Sequence, residues 1–421
     1  MSNGAKHVII VGGGASGMMA AISARMHGAV ATLLEKNPRV GKKILVTGNG
    51  RCNFTNIYAD IDHYHGKNPK FIYGAFSEFD VSRTIAFFER LGIAHKVEEY
   101  GKVFPMSDQA SSMLDVLLYE LNRQGVNICC NSPVKNIAGQ EGDFSVETQD
   151  GRFFHGDRII LCCGGKAMPS TGSDGSGYDL ARRMGHKIVD IFPALVQLKL
   201  EGNFFKQIEG VKFVGTVEIL SGGKTMAKGR GDILFANYGI SGPPILQLSR
   251  KAGELLQKKE EAVLKVSIID TMSKTELQEL LALRFENMPE KTVEFSLVGL
   301  INKRLIRVLL KQAGIKDLNV PVGSLSAGDI RKIAEILSDW RFNITGTRSW
   351  PSAQVTAGGV DTSGIDPRTL ESRLIKGLFF AGEIIDIDGE CGGFNLQWAW
   401  SSGFTAGKYA AIAEAESQMP D

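Results

Sequence analysis

The chain has 421 residues, 43% of them hydrophobic and 22% charged, and its 48 basic and 46 acidic side chains leave a formal net charge of +2. That length predicts two or three domains around a sizeable core. The charge balance argues against a chain-wide pull toward nucleic acid, and the lack of any run of about 18 apolar residues argues against a membrane span.

The first strong signal is the stretch from His7 to Lys36, which predicts a buried strand, a glycine turn, a helix and a second strand. Val8 to Val11 form an apolar, β-branched run, and Gly12, Gly14 and Gly17 follow at G-x-G-x-x-G spacing. Gly12 allows the tight turn, Gly14 lets backbone approach a pyrophosphate, and Gly17 lets helix and strand pack closely. The helix start supplies free N–H groups to phosphate, and Glu35 closes the second strand, where a carboxylate can accept from ribose hydroxyls. The stretch predicts a site for FAD or NAD. The sequence MSNGAKHVIIVGGG enters this fold almost at once, which predicts a cytoplasmic protein without a signal peptide.

Next comes GKKILVTGNGRCNFTN, Gly41 to Asn56, dense in glycine and carrying Lys42, Lys43, Arg51 and Asn53. Such a loop presents backbone N–H groups and cations to a charged ligand. Residues 57 to 125 are expected to be mostly helical, with helices over Phe76–Leu91 and Ser111–Gln124. His63 and His65 stand two apart, the wrong spacing for a helical metal face, and are expected to be surface or packing residues. Strands at VNICC, PVKNIA, FSVETQD, RFFHGD and DRIILCC predict a return to the sheet plus a β-meander. The last runs into Gly164-Gly165, a second close backbone approach at the sheet edge.

From about Phe192 short strands alternate with glycine turns, as in a small barrel. Residues 272 to 340 become helical. Lys303, Arg304, Arg307 and Lys311 form one basic helix face, expected to be solvated. Leu378–Ala381 then predicts a core strand ending at Gly382-Glu383, and Gly392–Asn395 opens a helix running from about Ala399 to Ala413. The helix start can stabilise negative charge on a ligand ring. Six cysteines include the adjacent pairs Cys129–Cys130 and Cys162–Cys163 but no C-x-x-C, so they are expected to be buried thiols. The seven histidines form no metal-ligand spacing, and no metal is expected.

The runs GKKILVTGNGRCNFTN, LCCGGKAMPSTGSDGSGYDLA, ILFANYGISGPPILQLS and LFFAGEIIDIDGECGGFNLQWAWSSG together resemble the bacterial BaiN-like, or aminoacetone-oxidase-like, FAD-dependent flavoproteins. The resemblance covers essentially the whole chain. It implies an α/β fold: a glutathione-reductase-type Rossmann FAD-binding domain in two segments, 1–193 and 347–421. Between them it implies an inserted β-barrel, 194–271, and a helical subdomain, 272–346. By position it places Gly12, Gly14, Ala15, Ser16 and Gly17 on the FAD pyrophosphate and Glu35 on the ribose. Lys36, Lys42 and Lys43 would lie near the phosphates or adenosine, and Val134, starting the returning strand, near the adenine. Gly164, from its own place after a strand at the sheet edge, is expected to approach the cofactor. Glu383 and Asp388 would lie by the ribityl chain, and Asn53, Gly393, Phe394, Asn395 and Leu396 around the isoalloxazine.

The expected activity is an FAD-dependent oxidoreductase acting on a small molecule through flavin N5, as an NAD(P)H-dependent reductase or an aminoacetone-type amine oxidase using oxygen. Without a second nucleotide fingerprint, NAD(P)H would bind only transiently over the flavin. Arg51 and Asn53 are the candidates nearest the chemistry. An RNA-modifying or RNA-binding flavoprotein is the alternative of another class, motivated by the basic helix.

Overall fold

The computed structural model describes residues 5–412, so the first four residues of the N-terminal stretch and Ala413 of the expected last helix lie outside the described residues. Two compact units emerge, one from residues up to Phe192 and from Gln354 onward, the other from Pro193–Ala353.

The first unit is built on a five-stranded parallel sheet in the order Leu378–Phe380, Arg158–Leu161, His7–Val11, Val30–Leu34, Asn127–Cys129. Its strands are near-continuous apolar runs because both faces of a parallel sheet are covered. Val8, Ile9 and Ile10 are wholly buried, as are Ile159–Leu161 and Leu378. Helix Ala15–Met26 follows the first strand, and helix Phe394–Ala411 packs along it. The expected meander is present as a three-stranded antiparallel sheet, Val134–Gln140, Asp143–Thr148 and Phe153–Gly156. Val134 therefore opens the meander, and the strand returning to the main sheet is Asn127–Cys129.

Residues 57 to 125 depart from the helical expectation. The helix anticipated over Phe76–Leu91 is divided into Ile72–Glu78 and Val81–Arg90. Asp80 makes the break, its side chain accepting from the Arg83 N–H as an N-cap. Thr55–Asn56, Lys102–Pro105 and His95–Val97 form a small antiparallel sheet, and Tyr64–His65 pairs with Asp388–Gly389. Strands this short carry too few residues for an alternating pattern to register.

In the second unit six strands close a barrel in the order Leu198–Leu200, Gly239–Ser241, Lys224–Ala236, Lys212–Ser221, Val263–Ser267, Trp340–Thr347. The closing strand comes after the helical segment, so the barrel is not confined to residues 194–271. Its alternating pattern, with Trp340, Phe342 and Ile344 buried, completes the barrel interior and removes both free edges. Helix Pro243–Gln257 lies within the segment expected to be all barrel. The longer insert helices are Lys274–Asn287, Lys303–Gln312 and Ala327–Ser338. The first and last begin at capping boxes, Ser273/Glu276 and Ser326/Asp329. No helix among the described residues is long and apolar enough to cross a membrane.

Candidate functional site

The glycine turn is shaped by what cannot fit into it. Gly12 has φ +110°, and a β-carbon there would collide with the Cys162 carbonyl. A β-carbon on Gly17 would collide with the Gly12 carbonyl, so helix and strand pack at backbone contact. At Gly14 the same β-carbon would meet nothing. Gly14 is also the N-cap of helix Ala15–Met26, with no side-chain cap and no acid in the first turn. The helix start, where Ala15 and Ser16 begin, thus lacks a side-chain cap at its positive end, and there is room for a ligand to approach at Gly14.

Glu35, only 8% exposed, is fixed at the mouth of this turn. Its Oε2 accepts from the Gly13 N–H at 2.8 Å, and its Oε1 accepts from the Asn37 N–H at 2.8 Å and the Asn37 side chain at 2.7 Å. The Glu35 carbonyl accepts from the Ser132 N–H, two residues before Val134. The three lysines are all tethered. Lys36 pairs with Asp174 at 2.7 Å, Lys42 donates to the Ser170 carbonyl at 2.9 Å, and Lys43 pairs with Glu383 at 2.9 Å. Burial pushes the Asp174 carboxyl up, but the Lys36 and Ser176 hydrogen bonds outweigh it and hold it below its usual range. Glu383 also accepts from the Thr356 N–H at 2.8 Å, and Gly164 turns at φ +69° against Ser173.

A second helix start faces the same unit. Gly393, at φ +103°, is the N-cap of helix Phe394–Ala411, again without a side-chain cap or first-turn acid. A β-carbon on Gly393 would collide with the Thr55 carbonyl and come 2.9 Å from Asn53 Oδ1. Asn395 braces the turn before it, accepting from the Gly389 N–H and donating to the Gly389 and Glu390 carbonyls. Asp388 is buried in the short strand ahead of it, and Leu396 is half-buried in the first helical turn. Close packing ties the two long helices together. A β-carbon on Gly403 would strike the Ser16 carbonyl, and one on Gly407 the Ala20 carbonyl, so the helices run parallel at backbone distance.

Arg51 is committed elsewhere than to an open site. Its guanidinium bonds Glu98 and Asp108 and stacks 4.1 Å over the Phe104 ring. Asn53 Oδ1 accepts from the Val103 N–H at 3.1 Å, so both residues hold the loop. The cysteines are free thiols. Burial pushes Cys52 and Cys163 up to about 12, which keeps them protonated and poor nucleophiles. Cys162 and Cys163 lie just beyond the strand rather than within it.

His63, expected to be a surface or packing residue, packs here against a partner that the sequence did not indicate, Glu390. Nδ1 of His63 lies 3.1 Å from the Glu390 carboxylate, and the His63 ring stacks on Phe394 at 4.3 Å. The two are more than 300 positions apart, and no spacing rule links them.

Residues 6–409 match the family described as HI0933-like protein Rossmann domain. The chain belongs to this family. It is 40% identical over 404 residues, 96% of this chain and 98% of the other, to a 3-dehydro-bile acid delta(4,6)-reductase of Clostridium scindens. It is 30% identical over 396 residues, 94% of this chain and 95% of the other, to a ribosomal RNA dihydrouridine synthase of Escherichia coli. Among solved structures it is similar to a 3-ketosteroid-delta4-(5alpha)-dehydrogenase of Rhodococcus jostii, at 14% identity and TM-score 0.47 with 97% of each chain covered. The protein is an FAD-dependent oxidoreductase of the Rossmann class. The uncapped helix start, the open space beside Gly14 and the carboxylate at the turn suit a dinucleotide cofactor.

Proposed function

We propose that this flavoenzyme reduces a carbon–carbon double bond conjugated to a carbonyl in a small molecule, with NAD(P)H as electron donor. The observation that carries the reading is the near full-length similarity to a reductase of a 3-dehydro bile acid. Bound FAD supplies hydride transfer at its N5. In this reading the N–H groups of Gly12, Gly14, Ala15, Ser16 and Gly17 hold the pyrophosphate, and Glu35 accepts from the ribose. Lys36, Lys42 and Lys43 neutralise the phosphate side, Val134 and Gly164 offer backbone, and Glu383 and Asp388 orient the ribityl chain. Asn53, Gly393, Phe394, Asn395 and Leu396 frame the ring, and the uncapped start of helix Phe394–Ala411 stabilises the negative charge that builds there. NAD(P)H has no glycine fingerprint of its own in the chain, so it docks transiently. Six free thiols and the need for NAD(P)H fit a cytoplasmic setting.

The test is anaerobic. NADH or NADPH bleaches the yellow enzyme, and a conjugated ketone then restores the colour. Bleaching by neither donor removes the NAD(P)H part of the reading, and re-oxidation by oxygen alone removes the reductase part.

The relatives named as ribosomal RNA dihydrouridine synthases favour a second reading, in which the reduced double bond belongs to a uridine in RNA. The reaction type is shared, since uridine also carries a double bond conjugated to a carbonyl. Reduction of a ribosomal RNA fragment, with binding that weakens steeply with salt, would favour this second reading. Reduction of free ketones alone supports the first.

A further inference from the structure

Reduction of a conjugated double bond needs a proton as well as a hydride, and none of the candidates read from sequence supplies one. Arg51 is held by two carboxylates, and Asn53 is an amide. His63 is different. Its ring stacks on Phe394, the first residue of the helix whose uncapped start faces the proposed flavin ring. The Glu390 carboxylate accepts at Nδ1, which leaves Nε2 as the nitrogen for chemistry, and no described residue hydrogen-bonds Nε2. The backbone fixes the pair further. The Glu390 N–H donates to the His63 carbonyl, Tyr64 Oη donates to the Phe394 carbonyl, and Tyr64–His65 pairs with Asp388–Gly389. A solvated histidine has no need of a stacked ring, a carboxylate and a strand pairing to fix it. Yet the His63 side chain is still 32% exposed, so solvent can replace its proton.

We propose that His63, oriented by Glu390, is the proton donor to the substrate. The inference rests on the reading of this chain as a reductase of conjugated double bonds. When bound and reduced, FAD would supply a hydride to the substrate's β-carbon, and Nε2 of His63 would release its proton to the α-carbon. The π bond would be lost, the two electrons would come from the bound cofactor, the N–H electron pair would stay on Nε2, and water would return the proton. Other charged and titratable groups around His63 are Asp60 and Asp62 on its own turn, His65, whose Nε2 is 3.8 Å from Glu390, and Cys391 beside Glu390.

The experiment follows re-oxidation of dithionite-reduced holoenzyme by 2-cyclohexen-1-one, 4-androstene-3,17-dione and uridine, in wild type, His63→Gln, Glu390→Gln and Cys391→Ser. Flavin absorbance reports cofactor loading in each. His63→Gln is expected to slow re-oxidation by the accepted probe roughly a hundredfold or more. Ferricyanide, which takes electrons but no proton, still re-oxidises it. The wild-type rate is expected to depend on pH, whereas the His63→Gln rate is flat. Glu390→Gln keeps the ring and slows the step about tenfold. If His63→Gln loses its flavin, the Glu390→Gln rate and pH profile decide. Wild-type speed in both variants, or a loss confined to Cys391→Ser, overturns the role of His63 while leaving the reductase reading intact. Wild-type enzyme inert to all three probes overturns both.

Discussion

At the residue scale, the glycine turn separates two demands that a motif merges. Gly17 is small because protein presses on it, and Gly14 is small although nothing in the protein does. Gly17→Ala is therefore expected to destabilise the apoprotein by about 1–3 kcal/mol, since the new methyl meets backbone that cannot swing aside. Gly14→Ala should leave apoprotein melting unchanged and weaken FAD binding at least tenfold. Thermal melting and FAD titration of the two variants check this, and equal melting losses would refute the division. Glu35 shows a similar double duty. Its carboxylate already holds the turn through Gly13 and Asn37, so Glu35→Gln is expected to lower both apoprotein stability and FAD affinity.

At the element scale, the two long helices of the first unit approach through Gly403 and Gly407. Helix propensity favours alanine over glycine by about 1 kcal/mol, and a β-carbon against the Ala20 carbonyl costs more than that. Gly407→Ala is expected to lower stability by a net 1–2 kcal/mol or so, and a gain in Tm would show that the helices part easily. In the second unit, helix Pro243–Gln257 ends in an acid between two lysines. Burial pushes the Glu254 carboxyl up, but Lys251 and Lys258 outweigh it and bring it down to about 2 from an ordinary 4.5. A depressed carboxyl adds stability above its unfolded value and loses it as pH falls toward the folded one. Glu254→Gln is thus expected to cost about 1 kcal/mol near pH 7, a surface-discounted figure, and nothing near pH 2. Denaturant melts across pH measure the convergence.

At the scale of the whole molecule, the first unit is one fold made from two chain segments. The chain leaves after Phe192 and re-enters at Gln354, and the flanking strands Ile188–Ala194 and Val355–Val360 pair with each other. Replacing residues 193–353 by a short glycine-serine linker should therefore leave a folded unit that still binds FAD. Every residue proposed for the cofactor lies in that unit. A yellow protein with a flavin spectrum is the expected outcome, and a colourless one would show that the insert is needed for the cofactor. The basic face of helix Lys303–Gln312 sits in the insert, with Arg307 paired to Glu294 and the rest of that face exposed.

The sequence by itself determined the glycine turn, the strands flanking it, Glu35 at the end of the second strand and the glycine start of the last helix. Each of these depends on a local run, where backbone geometry and burial leave a periodic or positional mark. Local pattern was insufficient where partners are distant along the chain. The barrel closes with Trp340–Thr347 because an exposed edge must pair, and that partner lies beyond the insert helices. The helix break at Asp80 was written in a residue that caps as readily as it solvates. Arg51 looked like a ligand cation, and only tertiary structure set it between Glu98 and Asp108. His63 was expected to be a surface or packing residue, and only the pairing of two short strands brought Glu390 and Phe394 to it. Packing between remote segments carries no spacing rule, so the residues proposed for proton transfer became visible only in the folded chain.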